Sequence, residues 1–422
     1  MTAADTHRAI DAVWRIESPK LIASLARMVR DIGLAEDLAQ DALVAALQQW
    51  PESGVPDKPG AWLMATAKHR AIDLLRRQTL LERKHEELGR ESEIRQKQSA
   101  PDLDAVMDDD VGDDLLRLIF TACHPILPAE SRVALTLRLL GGLTTAEIAR
   151  AYLVPEPTIA QRIVRAKRTL TAAGVPFEVP RGTDRAGRLG SVLEVIYLIF
   201  NEGYTATAGD DWMRPGLCED ALRLGRILAE LVPREPEVHG LAALMEIQAS
   251  RSRSRIGPSG EPVLLLDQDR GRWDHLLIRR GLGALERAEK IGGALGPYGL
   301  QAAIAACHAR AHTAEETDWA RIAALYDALA QIAPSPVVEL NRAVAVAMAF
   351  GPAAGLEIVD GLASEAALKD YHLLPSVRGD FLAKLGRVEE ARGEFERAAS
   401  LTRNAREREL LLERARGCGG GA

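Results

Sequence analysis

The sequence predicts an all-α protein, and three observations carry that reading. Alanine, leucine and arginine dominate the 422 residues, and alternating β-branched runs are scarce. Apolar residues recur three and four apart, the period of a helix with one buried face. Prolines, glycines and capping side chains punctuate these stretches where helices start and stop. The length suggests two or three domains. A net charge of −7 excludes a generally basic nucleic-acid binder, so any affinity for nucleic acid must come from local patches. Cys123, Cys218, Cys307 and Cys418 stand far apart with no CxxC pair. That argues against a zinc site or a disulfide framework and fits a reducing cytoplasm. No signal peptide or uninterrupted membrane-length apolar run is found.

The N-terminal block, residues 1–80, reads as four helices. Ala9–Ile16 and Leu21–Asp31 are separated by Pro19, and Gly33 turns the chain. From Ala35 to Gln49, Leu38, Ala42 and Ala45 face inward, while Asp37, Gln40, Asp41, Val44 and Gln48 share the opposite face. Pro51 to Gly60 reads as a proline-rich loop. The fourth helix opens at Trp62; Leu63, Ala67, Ala71 and Leu74 form its buried stripe, and Lys68, His69, Arg70, Arg76 and Arg77 surround it with positive charge. Residues 81–111 form a polar linker. Asp102, Asp104, Asp108, Asp109 and Asp110 crowd its end, a like-charged block that is flexible or at most partly helical.

Residues 112–175 contain a helix-turn-helix. Thr144 and Glu147 have the spacing of a capping box, in which hydroxyl and carboxylate each satisfy an orphan backbone N–H. Val154 and Pro155 end the first helix. Pro157 sits where the second begins, a position that sacrifices no hydrogen bond. Ile159, Ile163, Ala166 and Leu170 make its apolar face, and Gln161, Arg162, Arg165, Lys167 and Arg168 occupy the rest. A short cationic helix held against a small partner helix suits the DNA major groove.

The segments LAEDLAQDALVAALQQW and PGAWLMATAKHRAIDLLRR resemble region two of bacterial sigma factors of the sigma-70 family, and LTTAEIARAYLVPEPTIAQRIVRAKRTL resembles region four. The gap between them is too short for the third domain of housekeeping factors, as in the extracytoplasmic-function (ECF) group. The resemblance implies core RNA polymerase and promoter DNA as partners. Asp37, Gln40 and Asp41 match the segment that docks on the β′ clamp helices, and region four would meet the β flap. The Trp62–Arg77 helix matches the part that melts the −10 element. There Trp62 is either an aromatic surface for unstacked bases or core, and Lys68, Arg70, Arg76 and Arg77 would contact phosphates. Pro157, Thr158, Gln161, Arg162, Arg165 and Arg168 match the surface that meets the −35 element. Some relatives carry a basic residue at the position of Ala160, which leaves Gln161 and Arg162 as the candidates for base-edge contact. The resemblance threads the acidic linker toward the RNA exit channel, where it is either a nucleic-acid mimic or a solvated tether.

ECF factors usually stop soon after region four; this chain runs on. Gly174 to Gly190 reads as a joint, and residues 185–422 as a helical extension. SVLEVIYLIFNEGYTA suggests a fully buried helix, followed by the probable pair LCEDALRLGRILAELVP and EVHGLAALMEIQASRSRSR. Arg251, Arg253 and Arg255 would complement the dipole at that helix end. From about Gly299 three helix pairs follow. Asp327 and Leu329 align with Asp360 and Leu362 at a spacing of 33, and Ala354 and Ile358 with Ala391 and Phe395 at 37. Periods near 34 mark tetratricopeptide-type pairs, which stack and present a face to a protein or peptide partner. The alternative is a plain helical bundle.

LLDQDRGRWDH fails the EF-hand pattern and reads as a structural loop; NEGYTA, Asn201 to Ala206, suits capping better than a ligand pocket. No P-loop, HExxH or GxSxG is present, so the reading is binding, with no catalytic residue, metal or cofactor. The expected protein is a cytoplasmic ECF-type sigma factor whose extension regulates it or docks it on polymerase. The rival is a helix-turn-helix regulator with a tetratricopeptide sensor domain, which leaves Asp37, Asp41 and the Trp62–Arg77 helix unexplained.

Overall fold

The computed structural model describes residues 3–88, 111–206, 209–258 and 260–418. Among them are eighteen α-helices and no strand. The chain divides into two compact units, residues 1–195 and 196–422.

The first unit opens on α1 (Ala3–Val29), one continuous helix through Pro19 where the sequence suggested two. A proline inside a helix costs about 3 kcal/mol. Leu21, Ile22 and Leu25 on the same helix are at most 2% exposed, and burying each contributes about 1.5–3 kcal/mol, so packing outweighs the local penalty. The turn that follows belongs to Arg30 and Asp31, not Gly33. Arg30 takes a left-handed φ of 54°, and Asp31 caps α2 (Ile32–Ser53) by accepting from the Leu34 N–H at 2.8 Å. The second helix therefore runs through Pro51, and the expected loop shrinks to the residues before α3 (Pro59–Leu88). The same helix reaches into the first residues of the expected linker; its acidic end, Asp102 to Asp110, lies outside the described residues.

Next come α4 (Val111–Ala122), which packs on α1, then α5 (Ala129–Leu139), α6 (Thr145–Ala151) and α7 (Glu156–Ala172). The expected joint is also partly helical: α8 runs from Gly182 to Tyr204 through Gly187 and Gly190. Its early turns are sewn into the first unit. Arg188 donates to the Phe120 carbonyl at 3.0 Å, Ser191 to the Cys123 carbonyl at 2.6 Å, and Arg132 to Glu194 at 2.9 Å and to Ser191. The apolar run in α8 is not wholly buried, since Glu194 and Leu198 are exposed.

In the second unit, α9 (Pro215–Leu231), α10 (Pro236–Ala249) and α11 (His275–Ile291) form the first cluster. The three predicted helix pairs follow as α12 (Pro297–Arg310) with α13 (Trp319–Ile332), α14 (Pro336–Phe350) with α15 (Pro352–Gly361), and α16 (Leu373–Lys384) with α17 (Val388–Leu401). Consecutive helices pack on one another throughout. Glycines permit two close crossings: a Cβ on Gly355 would meet the Ala343 carbonyl at 2.8 Å, and one on Gly379 the Phe395 ring at 3.0 Å. A last helix, α18 (Ala405–Gly417), follows and ties the unit's end to its beginning. Its N-cap Asn404, 1% exposed, donates to the Ala206 and Asp211 carbonyls at 3.2 and 2.9 Å.

The Arg251–Arg255 run does not serve a helix end as expected. The second helix of that pair stops at Ala249, and Arg255 is 7% exposed. Its guanidinium lies 3.5 Å from the Tyr204 ring centroid and 4.5 Å from that of Trp212, and donates to Tyr204 O and Thr205 Oγ1. In the Leu265–His275 loop, Asp269 accepts from the Gly271 N–H and Asp274 from the Leu276 and Leu277 N–H groups, so both are caps. Among the described residues no helix is long and apolar enough to cross a membrane.

Candidate nucleic-acid interface

The capping box forms at the head of α6. Thr144 Oγ1 accepts from the Glu147 N–H at 3.2 Å, and the Thr144 N–H donates to Glu147 Oε2 at 2.8 Å. The helix ends at Ala151, before the expected Val154–Pro155, and Leu153 turns the chain with a φ of 50°. Pro157 lies in the first turn of α7. Ile159, Ile163, Ala166 and Leu170 are all buried, which fixes the rotation of α7 about its axis. That rotation leaves Gln161, Arg165 and Arg168 exposed in one line, flanked by half-buried Thr158 and Arg162. None of Arg162, Arg165 and Arg168 is in an ion pair among the described residues. Three uncommitted guanidiniums on one helix face are fit to meet phosphates.

Lys167, on the flank of the same helix, is committed. Its Nζ lies 2.5 Å from Glu36 Oε2, and Arg138 Nε of α5 donates to Glu36 Oε1 at 2.6 Å. Glu36 is 3% exposed. Burial alone would push its carboxyl up; Lys167 and Arg138 outweigh that and hold it below the ordinary carboxylate range. Two further ion pairs join α6 and α4 to α1: Arg15 to Glu147 at 2.7 Å, and Arg27 to Asp114 at 2.9 Å. Sequence reasoning missed Glu36 and Arg138. The one signal was position, since Glu36 sits beside Ala35 and Ala39 on the inward side of α2.

On the outer side of α2, Asp37 and Asp41 are exposed, with Val44 and Gln48 along the same face. Gln40 is half-buried and turns inward, donating to Glu36 Oε1 at 2.7 Å. Asp41 lies 3.3 Å from Arg70 of α3, an exposed pair. On α3, Leu63, Ala67 and Ala71 are buried, Leu74 and Lys68 half-buried, and Arg70, Arg76 and Arg77 exposed. Trp62 is half-buried: its ring meets that of Trp50 edge-on, with centroids 5.4 Å apart, and Trp50 is 1% exposed. Trp62 thus takes part in the packing of α2 on α3 and keeps part of its surface open to water. Among the described residues no three His, Cys, Asp or Glu side chains gather as a metal site. Burial pushes the Cys123 thiol up to about 11, so it carries no thiolate at neutral pH.

Comparison with known proteins bears on these same helices. Residues 14–80 match the family model of sigma-70 region 2, residues 117–170 that of sigma-70 region 4, and residues 188–289 a family of unknown function (DUF6596). An uncharacterized protein of Rhizobium meliloti (strain 1021) is 45% identical over 401 residues, covering 94% of this chain and 93% of the relative. The buried stripes of α2, α3 and α7 and the two region matches point the same way. The chain belongs to the sigma-70 family, as a sigma factor with a C-terminal extension beyond region four.

Proposed function

We propose that this protein is an ECF-type sigma factor that docks on core polymerase through the outer face of α2, reads the −35 element with α7 and opens the −10 element with α3. The observation that carries the ECF assignment is spacing: the region 2 match ends at residue 80 and the region 4 match begins at 117. In this reading Asp37 and Asp41 meet the β′ clamp helices, with Gln40 at the edge of that contact, and region four meets the β flap. Arg70, Arg76, Arg77 and Lys68 hold the −10 strand, and the exposed part of the Trp62 ring offers a stacking surface. Pro157, Thr158, Arg162, Arg165 and Arg168 place α7 on the −35 backbone, and Gln161 with Arg162 reads base edges.

The geometry adds a requirement. The −35 and −10 elements, by their names about 25 base pairs apart, lie roughly 85 Å apart along B-DNA. From Arg70 through Asp41, along α2 to Glu36 and on to Lys167, even extended side chains span no more than roughly 40 Å. Both elements are read together only after α7 leaves α2, so the Glu36 contact belongs to the factor before promoter engagement. The extension, on one chain with these regions at an effective concentration of about millimolar for a short linker, modulates them through protein contacts in this reading.

Run-off transcription with core polymerase and this protein alone tests the proposal. Promoter-specific transcripts are expected; a helix-turn-helix regulator of the ordinary kind restores none.

A further inference from the structure

The C-terminal unit holds a cleft of about 480 Å³ with α10 as its floor and α9 and α11 as its walls, within the size range of small-molecule sites. Residues 238–247 of α10 are all buried, and His239 and Glu246 are the two ionisable side chains among them. Their spacing, i and i+7, puts both on the face that lines the cleft. His239 is 5% exposed and Glu246 4%. Glu246 Oε1 accepts from Arg226 Nε of α9 at 2.7 Å, but Oε2 has no hydrogen-bond partner in the protein. His239 Nε2 lies 2.9 Å from the Pro233 carbonyl and so carries the proton; Nδ1 then offers a lone pair that no protein group meets. A buried polar atom left unpaired is destabilising, and here two such acceptors belong to side chains that line one cleft.

The rim has the opposite character. Arg279 and Arg287 of α11, two turns apart, are exposed and in no ion pair among the described residues; Arg280 reaches Glu246 only at 3.8 Å. In a chain of net charge −7, guanidiniums outnumber carboxylates around this cleft. We propose that it binds a small hydroxylated anion. The phosphate or carboxylate sits in the forks of Arg279 and Arg287, and the O–H groups of the same molecule donate to Glu246 Oε2 and His239 Nδ1. An acidic peptide side chain brings charge but no donor for the floor, which favours the small molecule. The site lies wholly within residues 188–289, where the match is to a family of unknown function.

The test is titration of the full-length protein with ribose 5-phosphate and with malate, against inorganic phosphate, ribose and sodium chloride at equal ionic strength. One of the two probes should saturate with Kd below about 1 mM and bind at least roughly tenfold tighter than inorganic phosphate. Arg279→Gln with Arg287→Gln should lose at least roughly tenfold in affinity with unchanged thermal stability, because both side chains are exposed. Gly283→Met is the second variant: a Cβ there meets only Arg287 Nη1, at 3.9 Å, so the side chain fills the cleft, keeps every charge and favours the helix. It should abolish binding. Failure of both probes to saturate, binding that survives either variant, or equal binding of polyglutamate each overturns the proposal. Binding is read directly, so the outcome is independent of activity in transcription.

Discussion

Glu36→Gln keeps the shape of the side chain, and the hydrogen bond from Gln40, while it removes the charge that faces Lys167 and Arg138. Taking one partner from a buried ion pair costs about 3–5 kcal/mol, because the remaining charge stays desolvated. Here the cations keep 20% and 22% of their side-chain surface, so water takes up part of the orphaned charge. We expect a loss of about 2–3 kcal/mol from the transition that reports residues 1–195. Urea unfolding followed by hydrogen exchange at α2 and α7 would measure it. A cycle with Lys167→Met should give a coupling of about 1–3 kcal/mol between the two sites. The pH dependence has a definite sign. The carboxyl is held below its ordinary value of 4.5, so its contribution is present above that pH and is lost as pH falls through the lower folded value. Glu36→Gln should abolish that acid-induced weakening. A destabilisation under about 0.5 kcal/mol, the range of neutral surface changes, or strict additivity with Lys167→Met would refute the reasoning.

Three further outcomes are expected. Asp37→Lys with Asp41→Lys should abolish co-purification with core polymerase yet change stability by less than about 1 kcal/mol, because the Asp41–Arg70 pair it breaks is exposed. Arg165→Ala should weaken DNA binding equally on all sequences and flatten its salt dependence, whereas Gln161→Ala should relax preference at one base position by roughly 1–3 kcal/mol; competition between cognate and scrambled −35 duplexes separates the two. Burial, with Arg251 and Arg270 nearby, pushes His308 down to about 3 from 6.5, so below pH 6.5 the unfolded chain binds the proton that the folded chain refuses. Stability of residues 196–422 should then fall by about 1.4 kcal/mol per pH unit toward pH 3, and His308→Gln should flatten that slope in denaturation at pH 7 and pH 5.

What the sequence made legible was local. The capping box and the four apolar positions of α7 depend on residues within a few turns, so their pattern alone placed Gln161, Arg165 and Arg168 on the open face. The helix pairs from Gly299 onward were legible because each buried stripe repeats at helical spacing, though α18 and the Asn404 tie were not. Pro19 misled because the tertiary packing that carries a helix through it has no local mark. Glu36 was invisible for the same reason: its partner Arg138 lies 102 residues away, and a carboxylate in an alanine-rich helix ordinarily faces water. His239 and Glu246 carry no local mark in the sequence, because the cleft they line exists only where α9 and α11 pack around α10.

Helix α2 has an outer face, proposed for docking, and an inner face that holds Glu36, and magnitudes decide how the two are linked. Asp37 and Asp41 point outward, Glu36 points inward, and Gln40 lies between, donating to Glu36 Oε1 at 2.7 Å. A partner that claims the Gln40 amide withdraws one hydrogen bond, about 0.5–1.5 kcal/mol net. The two cations on Glu36 hold about 2–3 kcal/mol. In the proposed reading, docking on the outer face would therefore loosen the contact without opening it, and competition for Lys167 would have to supply the rest. In the proposed reading DNA phosphates are the natural competitor, since Lys167 shares a helix with Arg165 and Arg168. Gln40→Leu should then leave the closed contact within about 1 kcal/mol of native by the same hydrogen-exchange measurement, well short of Glu36→Gln. Equal loss in the two variants would assign closure to the Gln40 bond and not to the cations.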